Sequence, residues 1–137
     1  MGRVISTVNL ATERNRLLKA MALAMREMSK KSSYDDGARD LAAFLILALD
    51  AVAESVERSV LPWEKRGYWV KADRFRMDWA WAESMRMKIR AAVDTDRPDE
   101  VALAAVVLAD KLKNIKVAEK HRMGSPWQGA WNQLKGK

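Results

Sequence analysis

The chain has 137 residues, enough for one domain that buries about two thirds of its unfolded surface without crosslinks, and we treat residues 1–137 as a single domain. It contains no cysteine, which excludes disulfides, zinc–thiolate sites and thiol nucleophiles and fits a reducing, cytoplasmic location. The formal net charge of +7 favours an anionic partner such as nucleic acid.

The first predicted helix runs from about Asn9 to Lys31. Its inward positions recur at alternating spacings of four and three residues, which is the period of one helix face. They are Leu10, Arg14, Leu17, Met21, Ala24 and Met28. Arg14 is the only cation among them, and we expect its long stem to reach water. The chain before this helix has no long apolar run, so we expect neither a signal peptide nor an anchor there.

The second predicted helix runs from about Asp36 to Leu61. Its middle, Leu41 to Leu49, is apolar on all sides and is bracketed by Asp40 and Asp50. Nine residues are too few to cross a bilayer, which needs about 20, so we expect this segment to be buried by the other helices and we expect no membrane partner.

Pro62 is predicted to end the second helix or to open the third, because its ring clashes with a preceding helical turn. The third helix is predicted over about Val70–Val93 and the fourth over about Pro98–Arg122. Ser125, followed by proline, matches a helix N-terminus and predicts one more short helix that docks on the others. The short connections predict an all-α, up-down four-helix bundle with a docked C-terminal helix.

Three ionisable residues of the third helix fall within its predicted apolar stripe when each residue is turned by 100°. They are Lys71, Arg74 and Asp78. Buried charges need partners, so one interpretation is an internal ion pair between Arg74 and Asp78 that fixes the helix register. The other is a polar pocket around these residues, walled by Trp69, Trp79 or Trp81. A third interpretation is that the helix phase near Gly67 is misjudged, and all three stay open at this point.

Basic residues are concentrated in two segments. Residues 58–90 carry a net charge of +5, residues 91–110 carry −4 and residues 111–137 carry +6. The first basic segment also holds four of the six tryptophans. The candidate anion-binding residues are Lys65, Arg66, Arg76, Arg86, Lys88, Arg90, Lys113, Lys116, Lys120 and Arg122. Helices three and four are consecutive, so we expect these cations to share one surface.

No residue pattern predicts catalysis, a metal site or a cofactor. The single histidine, His121, is best explained as a cation near the end of the fourth helix. The residue three positions before it is Ala118, so the Glu-x-x-His pair of di-iron bundles is absent. Glycine-rich phosphate-binding motifs and the nucleophile motif G-x-S-x-G are absent as well.

Three functions are compatible with the sequence. The one it favours is a non-enzymatic, tryptophan-rich helical protein that binds the nucleic-acid backbone with little sequence specificity, because clustered cations neutralise phosphates without a base-reading motif. The second is a structural protein that forms a homo-oligomer. The third is a small-molecule binder or enzyme that uses the pocket around Arg74 and Asp78.

Overall fold

The computed structural model describes residues 7–118 and 120–136, so the expectation for the extreme N-terminus lies partly outside the described residues. Within that range it contains five helices and no strand: α1 (Thr7–Ser29), α2 (Asp36–Lys65), α3 (Trp69–Asp94), α4 (Pro98–Lys111) and α5 (Ala130–Lys135). The predicted all-α bundle with a short C-terminal helix is confirmed.

Helix α2 lies at the centre of the fold. It packs against α1, α3 and α5, while α4 packs on α3 and more lightly on α1. Its largest fully buried side chains are Leu41, Leu45, Leu49, Val52 and Val60. A helix that is apolar all round must be covered on several sides, and the short α5 covers a part of α2 that the neighbouring long helices leave open.

The C-terminal end of α2 differs from the prediction, because the helix continues through Pro62 to Lys65. Two contacts with α3 hold this last turn in spite of the proline. The Trp63 ring meets Phe75 edge-on with centroids 5.2 Å apart, and Glu64 accepts a hydrogen bond from the guanidinium of Arg76. Packing and charge therefore outweigh the local cost of proline near the end of a helix.

Gly67 then reverses the chain between α2 and α3. Its φ of +81° lies in the left-handed region, and the N–H of Tyr68 donates to the carbonyl of Trp63 at 2.8 Å. The N–H of Gly67 donates to the carbonyl of Glu64 at 3.0 Å. These two bonds form a Schellman motif, in which glycine avoids the steric cost of the left-handed conformation. The short turn makes α2 and α3 antiparallel neighbours.

Helix α4 is shorter than predicted, since it ends at Lys111 and does not reach Arg122. Leu112 is nonetheless buried and Ile115 packs against the core, so the apolar spacing is satisfied by a turn followed by irregular chain. Arg26 of α1 donates hydrogen bonds to the carbonyls of Val117 at 2.6 Å and of Ala118 at 3.5 Å. In a continuing helix these carbonyls would accept hydrogen bonds from backbone N–H groups of the next turn. Here they accept hydrogen bonds from the Arg26 side chain of α1.

The C-terminal helix begins later than predicted, at Ala130, because Gly129 adopts a left-handed φ of +78°. Ser125 begins turns and does not cap a helix. The carboxylate of Asp40 on α2 accepts hydrogen bonds from the N–H of Gly129 at 3.2 Å and of Trp131 at 2.8 Å. An acid from another helix therefore satisfies the start of α5 and ties it to α2.

Arg14 is buried inside the bundle with only 7% of its surface exposed, so the prediction that its stem reaches water is wrong. Its Nη1 donates to the hydroxyls of Ser55 at 3.0 Å and of Ser59 at 3.2 Å. Its guanidinium carbon lies 5.1 Å from the ring centroid of Phe75 and 5.3 Å from that of Trp79. Aromatic faces and hydroxyl oxygens thus replace the water around this charge.

The two serines are positioned to accept from Arg14. The hydroxyl of Ser55 donates its proton to the carbonyl of Val52 at 2.7 Å, and that of Ser59 donates to the carbonyl of Ser55 at 2.9 Å. Each hydroxyl has one proton, so its lone pairs are left for the guanidinium. Burial lowers the pKa of Arg14 from its usual value, and the nearby charge of Glu13 partly opposes this change.

Arg14→Ala should lower the free energy of unfolding by about 2–4 kcal/mol, because it removes a large buried side chain and leaves a cavity. Arg14→Met should cost less than about 1.5 kcal/mol, since it fills the space and avoids the desolvation of a charge. Urea denaturation of the three proteins measures both values. Arg16→Ala, on the exposed side of α1, is the control and should change stability by less than about 0.5 kcal/mol. A loss in Arg14→Met as large as that in Arg14→Ala would contradict this account.

Candidate anion-binding cleft

The polar pocket predicted on α3 is not formed. Lys71, Arg74 and Asp78 are all exposed, so neither an internal ion pair nor a buried pocket exists at their positions. Trp69 and Lys71 line an open hollow of about 500 Å³ at the α2–α3 turn, which does not include Arg74 or Asp78. The predicted phase was taken from the C-terminal half of the helix, where Met85 and Ile89 are buried. The fully buried residues of α3 are Ala72, Ala82, Met85, Ile89, Ala92 and Val93. Together with half-buried side chains, four of them form a seam along the helix: Ala72, Phe75, Trp79, Ala82, Arg86, Ile89 and Val93.

This α3 seam repeats with alternating spacings of three and four residues, a seven-residue period. Such a seam drifts by about 20° per heptad from a helix of 100° per residue. At the N-terminal end of α3 the drift is large enough to move Arg74 and Asp78 out of the seam. The pocket prediction was therefore wrong because it used an incorrect rotation of the N-terminal half of α3 about the helix axis.

The tryptophans proposed as pocket walls have other roles. Trp79 and Trp81 are half-buried, stack on each other at 5.8 Å between centroids and pack against the core. Trp69 is 59% exposed at the α2–α3 turn. The ammonium of Lys71 lies 4.4 Å from the ring centroid of Trp63, a cation–π contact.

Four of the ten predicted anion-binding residues are engaged with carboxylates. Arg86 pairs with Glu83 at 2.7 Å, and the others pair in the same way: Arg76 with Glu57 and Glu64, Arg90 with Asp94, and Lys113 with Asp110. A cation whose charge is already compensated attracts an external phosphate less strongly than an unpaired one. Much of the positive charge counted on α3 is therefore balanced locally.

Arg76 is the most strongly engaged of these cations. Its Nε lies 3.0 Å from a carboxylate oxygen of Glu57 and its Nη1 lies 2.6 Å from one of Glu64. Asp73 is 3.7 Å away on the same helix. The hydrogen bonds that Arg76 donates to both glutamates raise its pKa, and the bond that Glu64 accepts from Arg76 lowers the pKa of Glu64. This cluster fastens the end of α2 to α3 and is structural.

A basic cleft of about 560 Å³ lies between α1 and the chain that follows α4. Its cationic lining residues are Arg16, Lys19, Lys116 and Arg122, and its other lining residues are Thr12, Asn15, Val117, Ala118, His121 and Met123. No acidic side chain occurs among these described lining residues. None of these four cations forms an ion pair with a described residue, and all four line one opening.

The cleft exists because the segment after α4 is held against α1. Arg26 binds the carbonyls of Val117 and Ala118, as described above, while the buried Leu112 anchors the start of the segment. The Nδ1 of His121 accepts the N–H of Met123 at 3.2 Å. His121 does not cap α4, because α4 ends ten residues earlier, at Lys111.

The structure distributes the ten predicted cations over several surfaces. Lys116 and Arg122 line the cleft. Lys120 is exposed nearby, Lys88 is exposed on α3, and Lys65 and Arg66 are exposed at the α2–α3 turn. Lys113, Lys116 and Lys120 do not form one helical flank, since all three lie beyond the end of α4.

Sequence reasoning missed Arg16 and Lys19. Both lie on the exposed side of α1, three residues apart and therefore on one face of the helix. That spacing was a signal in the sequence. It could not be used, because only the fold shows that a basic segment about 100 residues later packs beside it.

Comparison of the chain with protein-family models, with curated proteins and with solved structures found no match. No helix among the described residues has both the length and the apolar character required to cross a membrane. In the same part of the chain, no group of three or more His, Cys, Asp or Glu side chains is arranged to hold a metal ion.

Glu64→Gln tests the Arg76 cluster through pH. The folded-state pKa of Glu64 is below its ordinary value of 4.5, so its carboxylate stabilises the fold above that value and loses the effect as the pH falls through the lower folded pKa. Wild type should have a higher urea midpoint than Glu64→Gln near pH 7, and the difference should shrink as the pH falls below 4.5. The exposed Asp78→Asn is the control. A difference in urea midpoint between wild type and Glu64→Gln that does not change with pH would show that the charge of Glu64 does not stabilise the fold.

Proposed function

We propose that the protein binds nucleic acid through its phosphate backbone at the basic cleft, as a non-enzymatic binding module. The observation that supports this proposal is the convergence of Arg16, Lys19, Lys116 and Arg122 on one opening whose described lining has no acid. Released counterions drive the association of clustered cations with a polyanion, and this requires no shaped pocket for a base. A cytoplasmic location agrees with this role and stays a prediction.

The expected binding has little sequence specificity. The cationic side chains of the cleft can neutralise phosphates, and no element with the features of a base-reading helix was found in the sequence. The competing small-molecule function is not supported at its predicted position, because Arg74 and Asp78 are exposed. Self-association through a surface other than the cleft would be compatible with nucleic-acid binding at the cleft.

Lys116→Ala and Lys88→Ala distinguish the cleft from a general effect of charge. Each removes one exposed lysine and lowers the net charge by one, but only Lys116 lines the cleft. Fluorescence anisotropy at about 50 mM salt, with mixed-sequence single- and double-stranded probes, should show weaker binding for Lys116→Ala. The slope of log affinity against log salt should also fall by about one for Lys116→Ala and stay unchanged for Lys88→Ala.

Equal losses of nucleic-acid affinity in Lys116→Ala and Lys88→Ala would mean that the cleft is not the binding site. Absence of binding by the wild-type chain at tens of micromolar, where non-specific constants of roughly 10⁻⁴ to 10⁻⁶ M are measurable, would reject nucleic acid as the partner.

Trp69 offers a second contact for a single strand. It is 59% exposed and lies beside Lys65, Arg66 and Lys71 at the α2–α3 turn, an arrangement of aromatic and cationic groups on which unpaired bases stack. This turn lies at the same end of the bundle as the N-terminal half of α1, because Arg14 contacts the C-terminal half of α2.

Trp69→Ala should weaken the binding of a single-stranded probe by about fivefold or more, because a stacked base contributes substantially, and should change duplex binding little. Met77→Ala removes another exposed apolar side chain of α3, 76% exposed, and is the matched control. Equal losses for single- and double-stranded probes would show that Trp69 does not stack on bases.

A further inference from the structure

The outer face of α4 is apolar and uncovered. We define it by Leu103, Val106 and Val107, which are 67%, 69% and 46% exposed, with the exposed Ala102 and Ala109 beside them. The opposite side of the helix, with Val101, Ala104, Ala105 and Leu108, is buried in the bundle. A short helix that is apolar on both sides has a second surface to cover, and contiguous exposed apolar patches of this kind mark interaction sites.

The charges at the two ends of this face identify the partner. The N-terminal end carries Arg97, Asp99 and Glu100, a net charge of −1, and the C-terminal end carries Asp110, Lys111 and Lys113, a net charge of +1. A second α4 that runs antiparallel would place each −1 end against a +1 end, twice in one complex. A parallel copy would place like charges together. Unlike charges across an interface fix the register and orientation of the partners.

Two of these charges are available for such a contact. Arg97 pairs with Glu100 at 3.0 Å and Lys113 with Asp110 at 3.5 Å within the chain. Asp99 and Lys111 form no ion pair with a described residue. They also belong to the same ridge of the helix as Leu103 and Val107, since the four residues follow each other at intervals of four along a row inclined to the helix axis.

We infer that the outer face of α4 is a homodimer interface, in which two copies of the chain pack α4 against α4 in antiparallel orientation about a two-fold axis. In this arrangement Leu103 of one copy faces Val107 of the other, and Val107 of the first faces Leu103 of the second, as a self-complementary isologous contact requires. Asp99 of each copy then lies at the end where the other copy carries Lys111. The inference is independent of nucleic-acid binding, because no residue of this face lines the basic cleft.

The dimer should be weak and reversible. Helix α4 has 14 residues and is about 21 Å long, so its outer face alone is smaller than the ~800 Å² per partner of a standard interface. We expect a dissociation constant of about 10–100 μM. Sedimentation equilibrium of the full chain from about 5 to 300 μM should therefore show the mass rise from one copy toward two.

Leu103→Glu should keep the chain monomeric over this range, because it puts a charge in the centre of the contact. Leu61→Glu is the matched control: Leu61 is 52% exposed on α2, away from this face, so this variant should dimerise as wild type does. Circular dichroism melting shows whether both variants fold. Loss of the dimer in both variants, or in neither, would overturn the assignment of the interface to α4.

A charge-reversal pair tests the antiparallel orientation. Asp99→Lys alone makes both ends of the face positive, and Lys111→Glu alone makes both negative, so each variant should dimerise about tenfold more weakly than wild type. An equimolar mixture of the two should recover dimers, because every positive end then meets a negative one. Asp78→Lys is exposed on α3 and controls for net charge.

A mixture that stays as weak as its components would overturn the antiparallel arrangement. A wild-type chain that remains monomeric at 300 μM, about three times the weakest expected constant, would overturn the homodimer and assign the outer face of α4 to a different partner.

Discussion

The fold depends on one constraint, which is that the middle of α2 is apolar on every side. Residues 41–49 contain no polar side chain, so each direction from the α2 axis needs an apolar neighbour. Helices α1 and α3 provide two of them, and α5 provides another. The bond from Asp40 to the start of α5 is therefore more than a local cap. It connects the last helix of the chain to the part of α2 that would otherwise expose apolar surface to water.

The sequence predicts the elements of the fold better than the phase and ends of its helices. The helices follow from period and from turn residues, since glycine and aspartate near 67 and 96 leave few alternatives. The end of α4 could not be predicted, because Leu112 and Ile115 keep a helical spacing while a side chain from α1 binds the backbone beyond them. The error at Arg74 and Asp78 has a similar origin. It came from applying the period of a straight helix to one that packs along α2 with a seven-residue repeat.

Positive charge in the sequence is a poor guide to where an anion binds. Arg14 is positive and buried, Arg76 is positive and held by two glutamates, and neither is available to a partner. Arg16 and Lys19 are exposed on a segment whose net charge is zero over residues 1–57, and they reach the cleft only through the packing of the chain after α4. The useful quantity is therefore the unpaired charge around an opening, which depends on tertiary contacts.

The cleft and the outer face of α4 affect each other through geometry even though they share no residue. A two-fold dimer carries two clefts at a fixed separation, so once one cleft holds a strand, the second meets the same strand at a high effective concentration. The described lining of each cleft has four arginine or lysine side chains, which limits the affinity of a single copy and makes it sensitive to salt. Dimerisation through α4 would then raise the apparent affinity for long strands and leave that for short ones unchanged. The length of nucleic acid at which the affinity rises would report the distance between the two clefts.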